Sequence, residues 1–141
     1  MAKVLVVDDD PAIRQLLSDV LELDGHEVHV AVDGADGERA CADLRPDFVV
    51  LDLMMPRLDG YEVLRCIRVQ QGSEVPVLLL TAAPDGAVRG RENGANYYLA
   101  KPFTADEVLY LIDGVLGHDT PIADVRAAVE VARGRGYSGY A

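Results

Sequence analysis

Three aspartates directly follow short apolar segments of the sequence. Asp8 and Asp9 come after Lys3–Val7, and Asp52 comes after Phe48–Leu51. If the two segments are neighbouring parallel strands, their carboxylates meet at one edge of the sheet, where like charges repel one another. A hard divalent cation relieves this repulsion, and Mg²⁺ prefers carboxylate oxygens combined with phosphate oxygens. The pattern therefore predicts a magnesium site.

Two further side chains that end apolar segments complement such a site. Thr81 follows Val75–Leu80, and Lys101 follows Tyr97–Ala100. A hydroxyl and an ammonium group can bind the remaining oxygens of a phosphoryl group and offset its charge. A carboxylate can be the nucleophile there and become an aspartyl phosphate. Asp52 is the strongest candidate, because a carboxylate in the middle of a sheet is costly to bury unless it is paired.

The elements that position these residues follow from the alternation of two periodicities. Five apolar runs have the length of strands: Lys3–Val7, His26–Val32, Phe48–Leu51, Val75–Leu80 and Tyr97–Ala100. Segments with helical spacing follow each run, and their predicted starts include Asp10 as an N-cap and a Thr104/Glu107 capping box. This alternation predicts an α/β fold with five helices around a doubly wound, flavodoxin-like parallel sheet of order 2-1-3-4-5. The second strand alternates apolar and polar residues and is therefore placed at an edge.

Composition excludes several classes of partner. Thirteen basic against 24 acidic residues give a net charge of −11, which repels phosphate backbones and anionic lipid. We therefore expect no direct nucleic-acid partner and no membrane partner. No apolar run reaches the roughly 18 residues that a membrane span needs, and no signal peptide is apparent.

Cys41 and Cys66 form no CxxC motif and are predicted to be buried reduced thiols, which fits a cytoplasmic protein. The histidines, His26 among them, show no ligand spacing and are predicted at the surface or an edge.

The sequence predicts one domain over residues 1–117 and an extension over residues 118–141. The extension is too short to fold alone. Thr120 and Pro121 can begin a helix with an apolar stripe, whereas the Gly-rich end is predicted to be mobile. The stripe would be buried on the domain or on a second copy, so a homodimer is one outcome that the sequence allows.

Four motifs, in order and in spacing, resemble the receiver domain of two-component response regulators, the CheY-like family. They are Val6-Val7-Asp8-Asp9-Asp10-Pro11, Leu51-Asp52-Leu53-Met54-Met55-Pro56-Arg57-Leu58-Asp59-Gly60, Leu80-Thr81-Ala82 and Lys101-Pro102-Phe103. The resemblance covers about residues 2–117. It implies a phosphorelay switch that receives a phosphoryl group from a sensor histidine kinase or a histidine phosphotransfer protein. It also implies that the chain controls a downstream protein target or a fused output domain.

The resemblance also assigns roles around the phosphoacceptor. Asp52 would accept the phosphoryl group. Asp8, Asp9 and Asp52 would bind Mg²⁺ together with the backbone carbonyl of Met54. A protein of this kind catalyses only its own phosphorylation and dephosphorylation and is not otherwise an enzyme.

Further residues carry the switch in this family. Lys101 would bind phosphoryl oxygens from a position before a cis bond to Pro102. Thr81 would move toward the phosphate while Tyr98 rotates inward. The surface of the fourth helix, fifth strand and fifth helix would then change and report the phosphorylated state.

Other functions are less well supported by the residues. Asp8-x-Asp10 also suggests a haloacid-dehalogenase-like phosphatase with Asp8 as nucleophile, but Ala12 departs from that motif and no second acidic pair occurs late in the chain. An Asp-rich first loop would repel the phosphate of a flavin. A pseudo-receiver that acts without phosphorylation stays open. Met54 and Ala83 offer no group to orient an attacking water, which leaves the rate of dephosphorylation open.

Overall fold

Strands and helices alternate along the chain in the computed structural model, which describes residues 2–53, 60–82 and 86–115. The strands are β1 (Lys3–Val7), β2 (Glu27–Ala31), β3 (Phe48–Asp52), β4 (Val77–Thr81) and β5 (Tyr97–Ala100). The helices are α1 (Pro11–Leu23), α2 (Gly34–Leu44), α3 (Gly60–Arg65), α4 (Gly86–Glu92) and α5 (Ala105–Val115). The predicted five-fold alternation is confirmed, with the ends of some elements displaced by one or two residues.

All five strands form one parallel sheet in the order β2-β1-β3-β4-β5. The predicted order and the edge position of β2 are both confirmed. Every residue of β3 and β4 is buried, as expected of central strands covered on both faces, whereas β2 keeps exposed residues. Because the strands are parallel, their carboxyl ends lie at the same edge of the sheet, and Asp8, Asp9, Asp52 and Thr81 stand there.

The ends of α1 follow from particular residues. Asp10 is the N-cap, and its Oδ1 accepts a hydrogen bond from the Ala12 amide at 2.9 Å. Pro11 occupies the first turn, where its missing N–H costs nothing. Gly25 has a φ of +91°, a left-handed conformation that glycine adopts without the strain of a Cβ atom. The predicted start and stop of this helix are confirmed.

The helix α3 continues as a π-helical segment, Cys66–Gln70, which the sequence did not indicate. Arg68 lies in this segment, and its guanidinium donates three hydrogen bonds to distant parts of the chain. Nε donates to the Gly94 carbonyl at 3.0 Å, Nη1 to the Ser73 carbonyl at 2.9 Å and Nη2 to Asn96 Oδ1 at 2.8 Å. The planar guanidinium of Arg68 therefore joins the end of α3 to the chain before β4 and to the α4–β5 turn.

Replacing Arg68 by lysine is expected to lower the free energy of unfolding by about 1.5–3 kcal/mol, because a single ammonium group cannot reach three acceptors held by a fork. Arg65→Lys, on an exposed position of α3, is the matched control and should change stability by less than about 0.5 kcal/mol. Urea unfolding of the two variants measures the difference. Equal stabilities would show that the Arg68 hydrogen bonds contribute nothing.

The chain divides into two units, Met1–Ala100 and Lys101–Ala141, and the second is described over residues 101–115. In the second unit, the predicted capping box opens α5. Thr104 Oγ1 accepts from the Glu107 amide at 3.2 Å, and the Thr104 amide donates to Glu107 Oε1 at 3.1 Å. The reciprocal pair satisfies amides that the first turn of the helix leaves without internal partners.

Two other predictions concern the second unit. The peptide bond between Lys101 and Pro102 is cis, as the resemblance implied. The predicted helical extension in residues 118–141 lies outside the described residues. No helix among the described residues combines the length and the apolar character that a bilayer crossing requires.

The prediction for His26 was wrong, and the prediction for the two cysteines was confirmed only in part. His26 is buried rather than at the surface, and its Nε2 lies 3.1 Å from Asp24 Oδ2, so a nearby carboxylate gives the buried ring a polar partner. Cys41 is buried as predicted, but Cys66 is only half-buried. Neither cysteine is in a disulfide, and burial raises the pKa of both thiols, which keeps them protonated.

Candidate functional site

Three carboxylates converge at the carboxyl end of the sheet. Asp8 and Asp9 directly follow β1, and Asp52 is the last residue of the neighbouring strand β3. One oxygen from each carboxylate lies within 4.8 Å of the others. Asp8 is 1% exposed and Asp52 is 2% exposed, whereas Asp9 is exposed. Two of the three charges are therefore removed from water while the third faces it.

The loop after β1 is fixed by hydrogen bonds around Asp8. The Asp8 amide donates to the Ala31 carbonyl at 3.2 Å, which extends the pairing of β1 with β2 by one residue. Asp8 Oδ1 accepts from the Asp10 amide at 2.8 Å. These bonds set the direction of the Asp8 side chain before any ligand binds, and they turn the chain into α1.

The donor set fits a small hard cation. Three carboxylates within 4.8 Å repel one another, and burial of Asp8 and Asp52 strengthens the repulsion because the local dielectric constant is low. A divalent cation removes this cost, and an all-oxygen set with one exposed member, Asp9, leaves room for waters or phosphate oxygens. Mg²⁺ is bound in this manner in many proteins.

The structure describes three of the four remaining predicted site residues. Thr81 is fully buried at the end of β4, one residue beyond Leu80, which is the register partner of Asp52. Tyr98 on β5 is 37% exposed. Lys101 is the first residue of the second unit, and its action at the carboxylates stays a prediction. Met54, the predicted carbonyl ligand, lies outside the described residues.

The structure adds two residues near the carboxylates that the sequence did not single out for the site. Gly60, at the start of α3, lies against the backbone of Asp52: a Cβ atom there would come within 3.0 Å of the Asp52 carbonyl oxygen. Arg14 on α1 donates from Nη1 to the Asp8 carbonyl at 2.7 Å. Gly60 ends one of the four sequence motifs, but the motif gave it no role in the site. The Arg14 contact has no local sequence signal, because it depends on the direction of a side chain.

A contact between α3 and α4 lies next to Gly60. The guanidinium carbon of Arg89 on α4 is 4.3 Å from the centre of the Tyr61 ring. Tyr61 is buried and Arg89 is exposed, so the pair has the arrangement of a cation–π interaction at the surface. The start of α3 therefore contacts both the backbone of Asp52 and α4.

Comparison with known proteins gives concordant matches. The family description "Response regulator receiver domain" matches residues 4–113. The DNA-binding dual master transcriptional regulator RpaA of Synechocystis is 41% identical over 119 residues, which cover 82% of this chain and 49% of that protein. Response regulator MprA of Mycolicibacterium vanbaalenii is 45% identical over 121 residues, which cover 84% of this chain and 52% of that protein.

A solved structure agrees with these relatives. Chemotaxis protein CheY4 of Vibrio cholerae superposes with a TM-score of 0.75 at 36% identity, over 82% of this chain and 98% of that one. This similarity confirms the predicted flavodoxin-like, CheY-like fold.

The matches also bear on partners. The chain spans about half the length of the curated relatives that it matches. One of them is named a DNA-binding regulator, which conflicts in part with the expectation of no direct nucleic-acid partner. The acidic composition on which that expectation rests concerns the present chain and not a fused output domain. By its family match and its relatives, the chain belongs to the receiver domains of two-component response regulators.

Proposed function

We propose that this receiver domain accepts a phosphoryl group on the carboxylate of Asp52 and that Asp8, Asp9 and Asp52 hold the Mg²⁺ that the reaction needs. The observation that supports the proposal is the convergence of the three carboxylate oxygens within 4.8 Å, two of them on buried residues. The backbone carbonyl of Met54 is the remaining protein ligand that we propose. When bound, Mg²⁺ neutralises carboxylate and phosphoryl charge.

The proposed reaction is a phosphoryl transfer from a phosphohistidine. A carboxylate oxygen of Asp52 attacks phosphorus, the phosphorus–nitrogen bond breaks, and the imidazole of the donor leaves with the bonding electrons. The protein contributes mostly position and electrostatics to such a transfer. Thr81 and Lys101 bind the phosphoryl oxygens in this proposal, and the donor is a sensor histidine kinase or a histidine phosphotransfer protein.

The signal would leave through surface residues of α4, of β5 and of α5. Val88 on α4 is 60% exposed and Tyr98 on β5 is 37% exposed, so apolar side chains face solvent on both elements. In our proposal Thr81 moves toward the phosphoryl group and Tyr98 rotates inward, which changes this surface. A downstream protein or a fused output domain in the cytoplasm reads the change. The chain catalyses no reaction other than its own phosphorylation and dephosphorylation.

The first test is the mass of the intact protein after incubation with acetyl phosphate. We expect a gain of one phosphoryl group in the presence of Mg²⁺ and no gain when EDTA removes the metal, because three uncompensated carboxylates repel the phosphodonor. A gain that is equal with and without Mg²⁺ would contradict the metal site. If acetyl phosphate adds no phosphoryl group to the protein and the mimic beryllofluoride does not bind to it, the chain is a pseudo-receiver that acts without phosphorylation.

The phosphatase and flavin-binding alternatives are disfavoured by the family match, which covers residues 4–113. No geometric feature of the described residues favours either of them over the receiver function.

A further inference from the structure

We infer that Arg14 is a positioning residue for the metal site: it holds the backbone of Asp8 so that the carboxylates of Asp8 and Asp9 converge on Asp52. The inference rests on the proposed function, because it concerns the Mg²⁺ that phosphorylation of Asp52 would need. Arg14 lies on α1, outside the three carboxylates and outside the sequence motifs that indicated them.

The contact is direct and short. Arg14 Nη1 donates to the Asp8 carbonyl oxygen at 2.7 Å. A bond between a guanidinium and an acceptor is charge-assisted and about twice as strong as a neutral hydrogen bond. The contact spans six residues and closes the turn that leads from β1 into α1.

The geometry of the helix explains why Arg14 reaches this carbonyl. Arg14 is the fourth residue of α1, and its own amide donates to the Asp10 carbonyl at 3.1 Å. Side chains on a helix point toward its N-terminus, so the Arg14 side chain extends back over the first turn. Ile13 and Leu17 on the same helix are buried, which fixes the rotation of α1 about its axis.

Arg14 supplies one of three hydrogen bonds that hold Asp8 in place. The amide of Asp8 is bound by the Ala31 carbonyl, its Oδ1 by the Asp10 amide and its carbonyl oxygen by Arg14. Without Arg14, the carbonyl end of this residue loses its tether, and the peptide plane that precedes Asp9 can rotate. Such a rotation would separate the ligand oxygens, which lie within 4.8 Å of one another.

If Arg14 acted on the site only through its positive charge, its removal would change the Mg²⁺ affinity in the opposite direction. A guanidinium near a cation site repels the cation, so loss of the positive charge would strengthen Mg²⁺ binding. A role through position predicts weaker binding, because removal of groups that orient metal ligands typically costs 10- to 100-fold in affinity. The sign of the change therefore separates the two roles.

The experiment is a Mg²⁺ titration followed by the amide NMR shifts of Asp9 and Asp10. We expect Arg14→Gln to bind Mg²⁺ about 10-fold more weakly than the wild type. We expect Arg14→Lys, which keeps the charge and one donor group, to have a Mg²⁺ affinity between those of the wild type and Arg14→Gln. Arg39→Gln is the control: Arg39 is exposed on α2 and pairs with Asp36, so this change removes one positive charge elsewhere and should leave the affinity within about twofold.

Two results would overturn the inference. One is a glutamine variant that binds Mg²⁺ as tightly as the wild type or more tightly. The other, which applies even if the glutamine variant fails to fold, is a lysine variant with wild-type affinity and unchanged shifts of the Asp9 amide. A wild-type protein in which Mg²⁺ moves neither amide would instead refute the metal site of the proposed function, so the two failures are distinguishable.

Discussion

Asp52→Asn is expected to abolish Mg²⁺-dependent phosphorylation of this protein. The amide has nearly the shape of the carboxylate, but it carries no charge and its oxygen is a poor nucleophile, so no stable phosphoryl bond forms. The substitution also removes one of three charges that lie within 4.8 Å of one another, two of them buried. Because it relieves like-charge repulsion, we expect the variant to be at least as stable as the wild type without Mg²⁺.

Intact mass after incubation with acetyl phosphate and Mg²⁺ measures the loss, and thermal unfolding measures the stability. Asp8→Asn is the matched control, since it removes a charge from the same cluster but leaves Asp52 in place. It should still gain a phosphoryl group at high Mg²⁺ concentration, at a reduced rate. The reverse pattern, in which modification needs Asp8 and not Asp52, would contradict the receiver function and support a phosphatase with Asp8 as nucleophile.

The strands and the residues that end them were predictable because both depend on local patterns in the sequence, and the strand order followed as the usual flavodoxin-like arrangement of such strands. Runs such as Phe48–Leu51 are apolar on both faces, which indicates a central parallel strand. In a doubly wound sheet, residues that follow such strands gather at one edge, and this rule brought Asp8, Asp9 and Asp52 together. The boundaries of α1 were predictable for a similar reason, since Asp10 and Gly25 act on their immediate neighbours.

The features that were missed depend on contacts between residues far apart in the sequence. Arg68 binds Gly94 and Asn96, which lie 26 and 28 residues away, so no window of local sequence reveals that the arginine is a tether. The burial of His26 depends on packing rather than on spacing. Arg14 has the ordinary appearance of a polar residue on an amphipathic helix, and only the direction of its side chain shows that it reaches Asp8.

Gly60→Ala is expected to destabilise the protein and to slow phosphorylation, although it adds only one methyl group. The new Cβ atom would lie 2.8 Å from the Cα of Leu53 and 3.0 Å from the carbonyl oxygen of Asp52, and both are backbone atoms that cannot change rotamer. Relief requires movement of the start of α3 or of the end of β3. Overpacking of this kind costs about 1–3 kcal/mol.

The cost to the reaction follows from the same displacement. The Gly60 amide donates to the Leu53 carbonyl at 3.1 Å, so the start of α3 and the residue after Asp52 move together. A shift of about 1 Å at a reacting group can cost about 100-fold in rate, and we expect phosphorylation by acetyl phosphate to slow at least about 10-fold. The neighbouring contact between Tyr61 and Arg89 would be disturbed as well, which carries the change to α4.

Gly90→Ala provides the comparison that isolates the role of Asp52. Its Cβ atom would also meet a neighbour too closely, at 2.6 Å, but that neighbour is the terminal methyl group of Leu79, which can move by rotation of a side chain. Alanine is also favoured over glycine inside a helix by about 1 kcal/mol, which offsets part of the cost. We expect Gly90→Ala to be phosphorylated by acetyl phosphate at the wild-type rate. If Gly60→Ala is also phosphorylated at the wild-type rate when Mg²⁺ is saturating, the close approach of α3 to Asp52 has no part in placing the phosphoacceptor.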